Sequence, residues 1–387
     1  MKDRYDIVVI GAGITGTSIA YSLSKEGASD ILVIEQGFVA EGIDGKASTA
    51  LSAGGVRQQF GTEVNVRMAK YSMDVFENFE KLVGVNPDLR QYGYLFLYDD
   101  EKKFEIAKES VAMQKSLGVN VEHFGGDKGK EWIPEMITDD LVGSTYCAQD
   151  GYIDPNTLAQ GFAKFAKSKG VDFAEQVEVI GFEISDRKIV KVKTTQKDIE
   201  VGTVINAAGP YAKIVGEMAD VNIIGDPYRR QDHLTEPFPA VRDDIPMIVD
   251  MTSGLYFRKE GERILMGLAD NSEKPGFNFK INRKHFIHIY KMFLKRLPLI
   301  KTAKVSDGWA GLYFITPDHH PIIGSVPELD NFIVSIGYSG HGIMVSPAGG
   351  KLVADYILHG KSDLLDINLL NIDRFAKGKE IHEKMVI

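Results

Sequence analysis

The pattern of apolar and polar positions changes character along the chain, and each change predicts an element. Residues 5–10 (YDIVVI) are an apolar run bounded by charge, as expected of a strand buried on both faces of a parallel sheet. Ile14, Ile19, Ala20 and Leu23 then recur at helical spacing, Gly27 ends that helix, and 31–34 is a second buried strand. Val66, Ala69, Met73, Phe76 and Phe79 line one side of an amphipathic helix over 65–82. A strand is expected at 92–98 (YGYLFLY), and a helix at 101–117 with Phe104, Ala107, Val111 and Leu117 inward. A helix at 162–169, paired strands at 177–182 and 189–194, and a buried strand at 201–207 follow. From 222 to 302 the texture turns to short strands rich in β-branched and aromatic residues, at 247–249, 254–258 and 263–267. That predicts an antiparallel sheet with one solvated face, followed by a helix at 282–297. The last part, 309–367, returns to strand–turn–helix. It has a buried strand at 332–336 and a helix over 345–358, with Gly349 and Gly350 on its sheet-facing side.

Between the first strand and helix stand Gly11, Gly13 and Gly16 in G-x-G-x-x-G spacing. The first permits a tight turn, the second lets a pyrophosphate approach the backbone, and the third lets the helix pack closely on the sheet. The second strand ends on Glu35, about 20 residues further on, where an acid accepts from a ribose hydroxyl and disfavours a 2′-phosphate. The unit predicts a dinucleotide site, with the phosphates at the helix N-terminus. A glycine-rich loop over 36–55 follows, in which Ser48 and Thr49 are candidate phosphate donors. This stretch alone leaves FAD and NAD both open. The 332–336 strand narrows the choice, because it runs through GYSGHG (337–342) into a second glycine-rich helix start. A helix N-terminus there stabilises the negative charge that a reduced flavin carries near its N1/C2 edge.

Composition excludes more than it assigns. The chain has 387 residues and a net charge of −9, without a basic stripe, which argues against nucleic acid. Its single cysteine, Cys147, rules out an internal disulfide or a multi-cysteine metal site and suggests a reducing, cytoplasmic home. The N-terminus lacks the layout of a signal peptide, and no apolar stretch approaches a membrane span. His319-His320 is not expected to hold a metal, since adjacent side chains diverge and no partner stands at ligand spacing; no metal is expected.

The expected class is α/β with an α+β substrate part. A Rossmann-like FAD-binding domain would be assembled from 1–85, 150–220 and 305–375. An antiparallel-sheet substrate domain, 86–149 and 221–304, would be inserted into it, leaving 376–387 as a C-terminal tail.

Seven stretches resemble the D-amino-acid-oxidase-type FAD oxidoreductases: the N-terminal fingerprint with Glu35, GGVRQQFGTEVNV from Gly54, YGYLFLYDDE from Tyr92, QDGYIDPNTLAQGF from Gln149, VINAAGPYA from Val204, GLYFITPDHHPIIG from Gly311 and GYSGHGIMVSPAGG from Gly337. Within that family the chain is most similar to sarcosine oxidase β subunits and archaeal dye-linked L-proline dehydrogenase β subunits. The resemblance implies FAD contacts at Gly11, Gly13, Ile14, Gly16, Glu35, Gln36, Ser48, Thr49, Val177, Ala208, Gly209, Gly311, Gly340, His341, Gly342, Ile343 and Met344. Gly311 stands where monomeric sarcosine oxidases link the flavin to a cysteine, so the FAD is expected to be non-covalent. The lysine that family oxidases place over the flavin is absent from 263–267, and a second, carboxylate-binding lysine is replaced by Met344. Both departures point to a dehydrogenase rather than an oxidase.

On the substrate side, Arg57 is the candidate to grip a carboxylate bidentately. Tyr256 is the candidate second donor, His341 is placed at the ring edge, and His233 lies on the segment expected to cross the roof. The expected activity is FAD-dependent oxidation of a small secondary amino or imino acid, L-proline, sarcosine or similar, by hydride transfer to flavin N5. Electrons would pass to an acceptor or partner subunit. The alternatives are a peroxide-producing oxidase, or a flavin-binding subunit with little catalysis of its own.

Overall fold

The structure is a computed structural model that describes residues 1–385, and only the backbone of Ser306 and Asp307. It opens with β1 (Arg4–Ile10), α1 (Ile14–Lys25) and β2 (Ile31–Glu35), then β3 (Gly55–Val56), α2 (Glu63–Glu77) and α3 (Phe79–Val83). Next come β4 (Tyr94–Tyr98), α4 (Glu101–Ser116), β5 (Val121–Phe124) and β6 (Gly143–Cys147). The middle of the chain forms β7 (Gly151–Tyr152), α5 (Pro155–Ser168), β8 (Asp172–Glu175), β9 (Val179–Ser185), β10 (Lys188–Thr194), β11 (Ile199–Asn206) and α6 (Ala212–Glu217). Then follow β12 (Asp226–Thr235), β13 (Met247–Asp250), β14 (Tyr256–Glu260), β15 (Arg263–Gly267) and α7 (Arg283–Arg296). The chain closes with β16 (Val305–Ile315), β17 (Ile322–Ser325), β18 (Phe332–Ile336), α8 (Gly342–His359) and α9 (Asp373–Ala376).

Two sheets carry the fold. The first has the order β17-β18-β11-β1-β2-β8, parallel from β18 to β8, with β10 and β9 branching from β11. Strands β2 and β18 are buried throughout, and β1 and β11 over their carboxyl-terminal halves, which is why they read as apolar runs. Helices α1 and α8 pack side by side on it. A Cβ at Gly350 would stand 2.5 Å from the Ser18 carbonyl, so Gly350 faces α1 and not the sheet as expected, while Gly349 makes room for the Tyr338 hydroxyl.

The second sheet has the order β16-β12-β15-β14-β13-β4-β6-β5. It is antiparallel except for β13 and β4, whose parallel pairing joins stretches about 150 residues apart in the chain. One face, with Leu95, Leu97, Ile248, Phe257 and Met266, packs on Ile289 and Phe293 of α7.

The chain departs from expectation in other places as well. Strand β16, expected with the nucleotide-binding part, pairs along β12 from Asp226↔Ile315 to Thr235↔Val305 and so belongs to the second sheet. Strand β12 itself was hidden by its charged residues. The helix expected over 65–82 breaks at Asn78, whose side chain donates to the Asp74 carbonyl. The C-terminal tail expected at 376–387 is packed down in its described part, where Met385 is buried against Tyr94, Phe96 and Tyr98; residues 386 and 387 lie outside the described residues. Among the described residues, no helix is long and apolar enough to cross a membrane.

Candidate active site

A cavity of about 340 Å³ lies at the carboxyl ends of β1, β2, β11 and β18, where open α/β sheets bind their ligands. Its floor is built by close approaches that only glycine allows. Gly11 has φ +99°, and a Cβ there would meet the Ala207 carbonyl at 2.6 Å. A Cβ at Gly16 would stand 1.9 Å from the Gly11 carbonyl. At the other end Gly340, φ +92°, lies against the Tyr313 ring. The N-termini of α1 and α8 both open into this space, through Ile14 and Thr15 on one side and Gly342 and Ile343 on the other. Each helix start leaves backbone N–H groups without helical partners and a partial positive charge.

Glu35 is fixed before any ligand arrives. Ala12 N–H donates to its Oε2 at 2.8 Å and Gly37 N–H to its Oε1 at 2.9 Å. Burial pushes its carboxyl upward against those two bonds. An aligned acceptor at the strand end, two helix N-termini and a glycine floor together fit FAD.

Of the expected cofactor residues, Gly11, Gly13, Ile14, Glu35, Gln36, Ser48, Thr49, Val177, Ala208, Gly209, Gly340, Gly342 and Ile343 line this cavity. Gly16 lies beneath it as a packing position. Gly311, His341 and Met344 lie outside its lining: Gly311 faces Leu51, His341 is buried beside Arg57, and Met344 packs on the apolar core that includes Ile14 and Val66. The hydroxyls of the loop are partly committed. Ser48 donates to the Leu312 carbonyl at 2.6 Å, so it ties the loop to β16 instead of offering its proton to a phosphate. Thr49 Oγ1 accepts from Ile14 N–H at 2.9 Å and keeps its own proton. Lys46, Tyr211 and Tyr313 also line the cavity and were missed. Asn206 was missed as well; it pins the turn after β11 through Ala208 N–H and the Ala212 carbonyl.

Above the cavity lies the inner face of the second sheet. Residues opposite one another in register share a face. Tyr228 pairs with Tyr313, Arg230 with Gly311, Asp232 with both Trp309 and Gly267, and Gly267 with Tyr256. This face is fastened to the flavin loop, since Trp309 Nε1 donates to the Leu51 carbonyl and Arg258 Nη2 to the Ala53 carbonyl. Tyr256 does not stand free: its hydroxyl donates to Asp232 Oδ1 at 2.5 Å. A second cavity of about 440 Å³ adjoins the first, lined by Tyr228, Arg230, Asp270, Glu273, Thr316 and His319. The wall between them includes Tyr313, beneath the Arg230 guanidinium at 5.6 Å, and the Thr316–Ser339 hydroxyl contact. Among the described residues, buried Arg230 Nε and His319 Nδ1 have no hydrogen-bond partner. His320 is committed elsewhere, through the Asp318 carbonyl and Thr62. His233 turns to the opposite side of β12, its ring 4.5 Å from Phe286.

Arg57 is 1% exposed and lines neither cavity. Its guanidinium donates to the carbonyls of Gln59 and Met385, the latter at 2.9 Å, and lies 4.1 Å from the Phe60 ring centre. Its Nη2 is 3.4 Å from His341 Nε2, and because a guanidinium only donates, that nitrogen carries the lone pair. Burial, then the Arg57 charge, holds His341 well below its ordinary range, so it is neutral. The C-terminal segment that covers Arg57 is held by Glu383, which accepts from Thr62 and Asn65.

The profile of the FAD dependent oxidoreductase family matches residues 6–356. FAD-dependent oxidoreductase domain-containing protein 1 of Xenopus laevis is 29% identical, across 100% of this chain and 85% of its own length. Human mitochondrial sarcosine dehydrogenase is 26% identical, across 98% of this chain and 42% of its own length. Among solved structures, L-proline dehydrogenase from P. horikoshii shares 32% identity and a TM-score of 0.91, covering 99% of this chain and 100% of that one. The chain belongs to the FAD dependent oxidoreductase family, and FAD is its cofactor.

Proposed function

We propose that the protein is a dehydrogenase that oxidises the C–N bond of a small secondary amino acid and passes the electrons to an acceptor other than oxygen. The observation that carries this reading is the polar face of Arg230, Asp232, Tyr256 and Tyr313, of which Asp232 is buried, Tyr313 lines the FAD cavity and Arg230 lines the second cavity. Similarity to L-proline dehydrogenase supports the substrate class.

The cradle of Gly11, Gly13, Thr15 and Glu35 would hold the dinucleotide, and Gly340–Ile343 at the start of α8 the ring end. Bound FAD supplies the acceptor for a hydride. The chain's own residues supply position, charge and exclusion of water. A carboxylate on the substrate is met by guanidinium groups: Arg230 at the second cavity, and Arg57 once the Met385 carbonyl gives way. The Cys147 thiol is free and buried, in keeping with the cytoplasmic home proposed here.

The acceptor assignment rests on lysines. Strand β15 reads Arg263-Ile264-Leu265-Met266-Gly267 and has none. Lys259, on β14, is turned away and held by the carbonyls of Phe238, Val241 and Glu262.

The test is an anaerobic titration of the FAD-loaded protein with L-proline, sarcosine, glycine and larger amino acids. Bleaching of the flavin band by a secondary amino acid is expected; the absence of bleaching by any of them would refute the proposal. The reduced protein is expected to reoxidise quickly with an artificial dye and slowly in air. Stoichiometric peroxide at a comparable rate would make it an oxidase.

A further inference from the structure

We infer that Asp232 receives the proton of the substrate's amine and that Tyr256 positions the Asp232 carboxylate for it. The inference rests on the reading above and assigns a residue within that site.

The need is chemical. An amino acid's amine is protonated at neutral pH, and a protonated nitrogen has no lone pair to assist departure of a hydride from the neighbouring carbon. A base must therefore act before or during oxidation.

Asp232 meets the geometric requirement. It lies on the sheet face that also carries Trp309 and Tyr256, 6% exposed and outside the lining of both cavities. Its Oδ1 accepts from Tyr256, while its Oδ2 accepts no hydrogen bond from the described residues. Gly267, opposite both residues, makes room: a Cβ there would stand 2.2 Å from the Tyr256 hydroxyl and 2.5 Å from Asp232 Oδ1. The charged and titratable groups facing Asp232 are Arg230 on its own strand, Tyr256 and Arg258 on β14, and Tyr313 on β16. Burial pushes the carboxyl up to about 6 against the Tyr256 hydrogen bond and the Arg258 charge. It is thus ionised at neutral pH yet a better base than an exposed carboxylate.

The step balances simply. One N–H bond of the ammonium breaks, one O–H bond forms at Asp232, and the amine keeps its electron pair. No electron changes hands in this step. A hydrogen on the carbon next to the nitrogen would then leave with its electron pair, for which bound FAD would supply the acceptor, and Asp232 would return the proton to solvent as product departs.

Asp232→Asn keeps the shape and removes the base. The anaerobic reduction rate at pH 7 is expected to fall by about 10²–10⁴-fold. It should recover as pH approaches the substrate amine's own pKa, because solvent then delivers neutral amine. A purely structural residue would lower the rate equally at every pH, and that outcome would overturn the inference. A binding measurement needs no turnover: calorimetry with 2-aminoisobutyrate, whose nitrogen is protonated and whose nitrogen-bearing carbon has no hydrogen, and with pyrrole-2-carboxylate, whose nitrogen is neutral. The variant is expected to lose affinity for the first and keep it for the second; equal loss of both would count against the assignment. Tyr256→Phe serves if Asp232→Asn does not fold. Losing the hydroxyl raises the Asp232 pKa, so the acid limb of the pH profile is expected to move upward, and an unmoved limb would sink the idea. If no amino acid bleaches the wild-type protein, the underlying function fails; if wild type bleaches and the Asp232→Asn profile runs parallel to it, only this inference fails.

Discussion

Gly16→Val is expected to yield a colourless protein of reduced stability. The added Cβ would fall 1.9 Å from the Gly11 carbonyl, a distance that no side-chain rotation relieves because both groups are backbone. Helix α1 would have to move off the sheet. That motion carries away Ile14 and Thr15, whose end of the helix faces the cavity, and breaks the 2.9 Å bond from Ile14 N–H to Thr49. It also disturbs Gly350 against Ser18, where α8 and the other glycine-rich turn are held. Overpacking of a close-packed contact costs about 1–3 kcal/mol and more where backbone must shift. The cofactor loss is the larger readout, because both helix N-termini depend on this one contact. Flavin absorbance per protein and thermal unfolding with added FAD would check it. A yellow protein of normal stability would show that α1 does not position the cofactor.

Asp318→Ala is expected to destabilise the protein by about 3–5 kcal/mol, the range for breaking one partner out of a buried ion pair. Asp318 is fully buried and its two oxygens accept from Arg374 Nη2 at 3.0 Å and Nε at 2.7 Å. Without it the Arg374 guanidinium is left buried and uncompensated. Asp318 also organises the loop beneath the second cavity, since its Oδ1 accepts from His320 N–H and its carbonyl from Glu383 N–H. The C-terminal segment over Arg57 is therefore expected to loosen in the variant, visible as faster hydrogen exchange after residue 378. The pH dependence has a defined sign. Burial raises the Asp318 carboxyl, but the hydrogen bonds and charge of Arg374 outweigh it and hold the group below 3.8. A depressed pKa contributes stability above the unfolded value, and that stability is lost as pH falls through the folded one. The gap between wild type and variant is expected to be full at pH 7 and to narrow below about pH 3.8 in denaturant titrations. A gap that widens at low pH would contradict the assignment.

The cofactor half of the site was legible because its chemistry is local. The glycines, the strand before them and Glu35 sit within one βαβ unit, and a backbone that must approach phosphate leaves its mark in consecutive residues. The substrate half was read less well, for a physical reason. Arg57 looked free to bind a carboxylate because its neighbours in sequence, the Gln59 carbonyl and the Phe60 ring, occupy only part of the guanidinium; the carbonyl that takes Nη2 belongs to Met385, 328 residues away. Tyr256 looked like a donor to substrate, but β12 lays Asp232 beside it.

By itself, the sequence determined the alternation of buried strand and helix, the glycine turns with their acid, and hence a dinucleotide cradle on a parallel sheet. Each of these follows from residues within reach of one another along the backbone, where periodicity and steric allowance act directly. Tertiary structure alone decided that β16 leaves the first sheet for the second, that the C-terminal segment is buried over Arg57, and that Arg230, Asp232, Tyr256 and Tyr313 share one face over the cofactor. Those facts depend on strand register and on desolvation by distant parts of the chain. A charged strand such as β12 shows its alternation as a buried face only once a partner covers it.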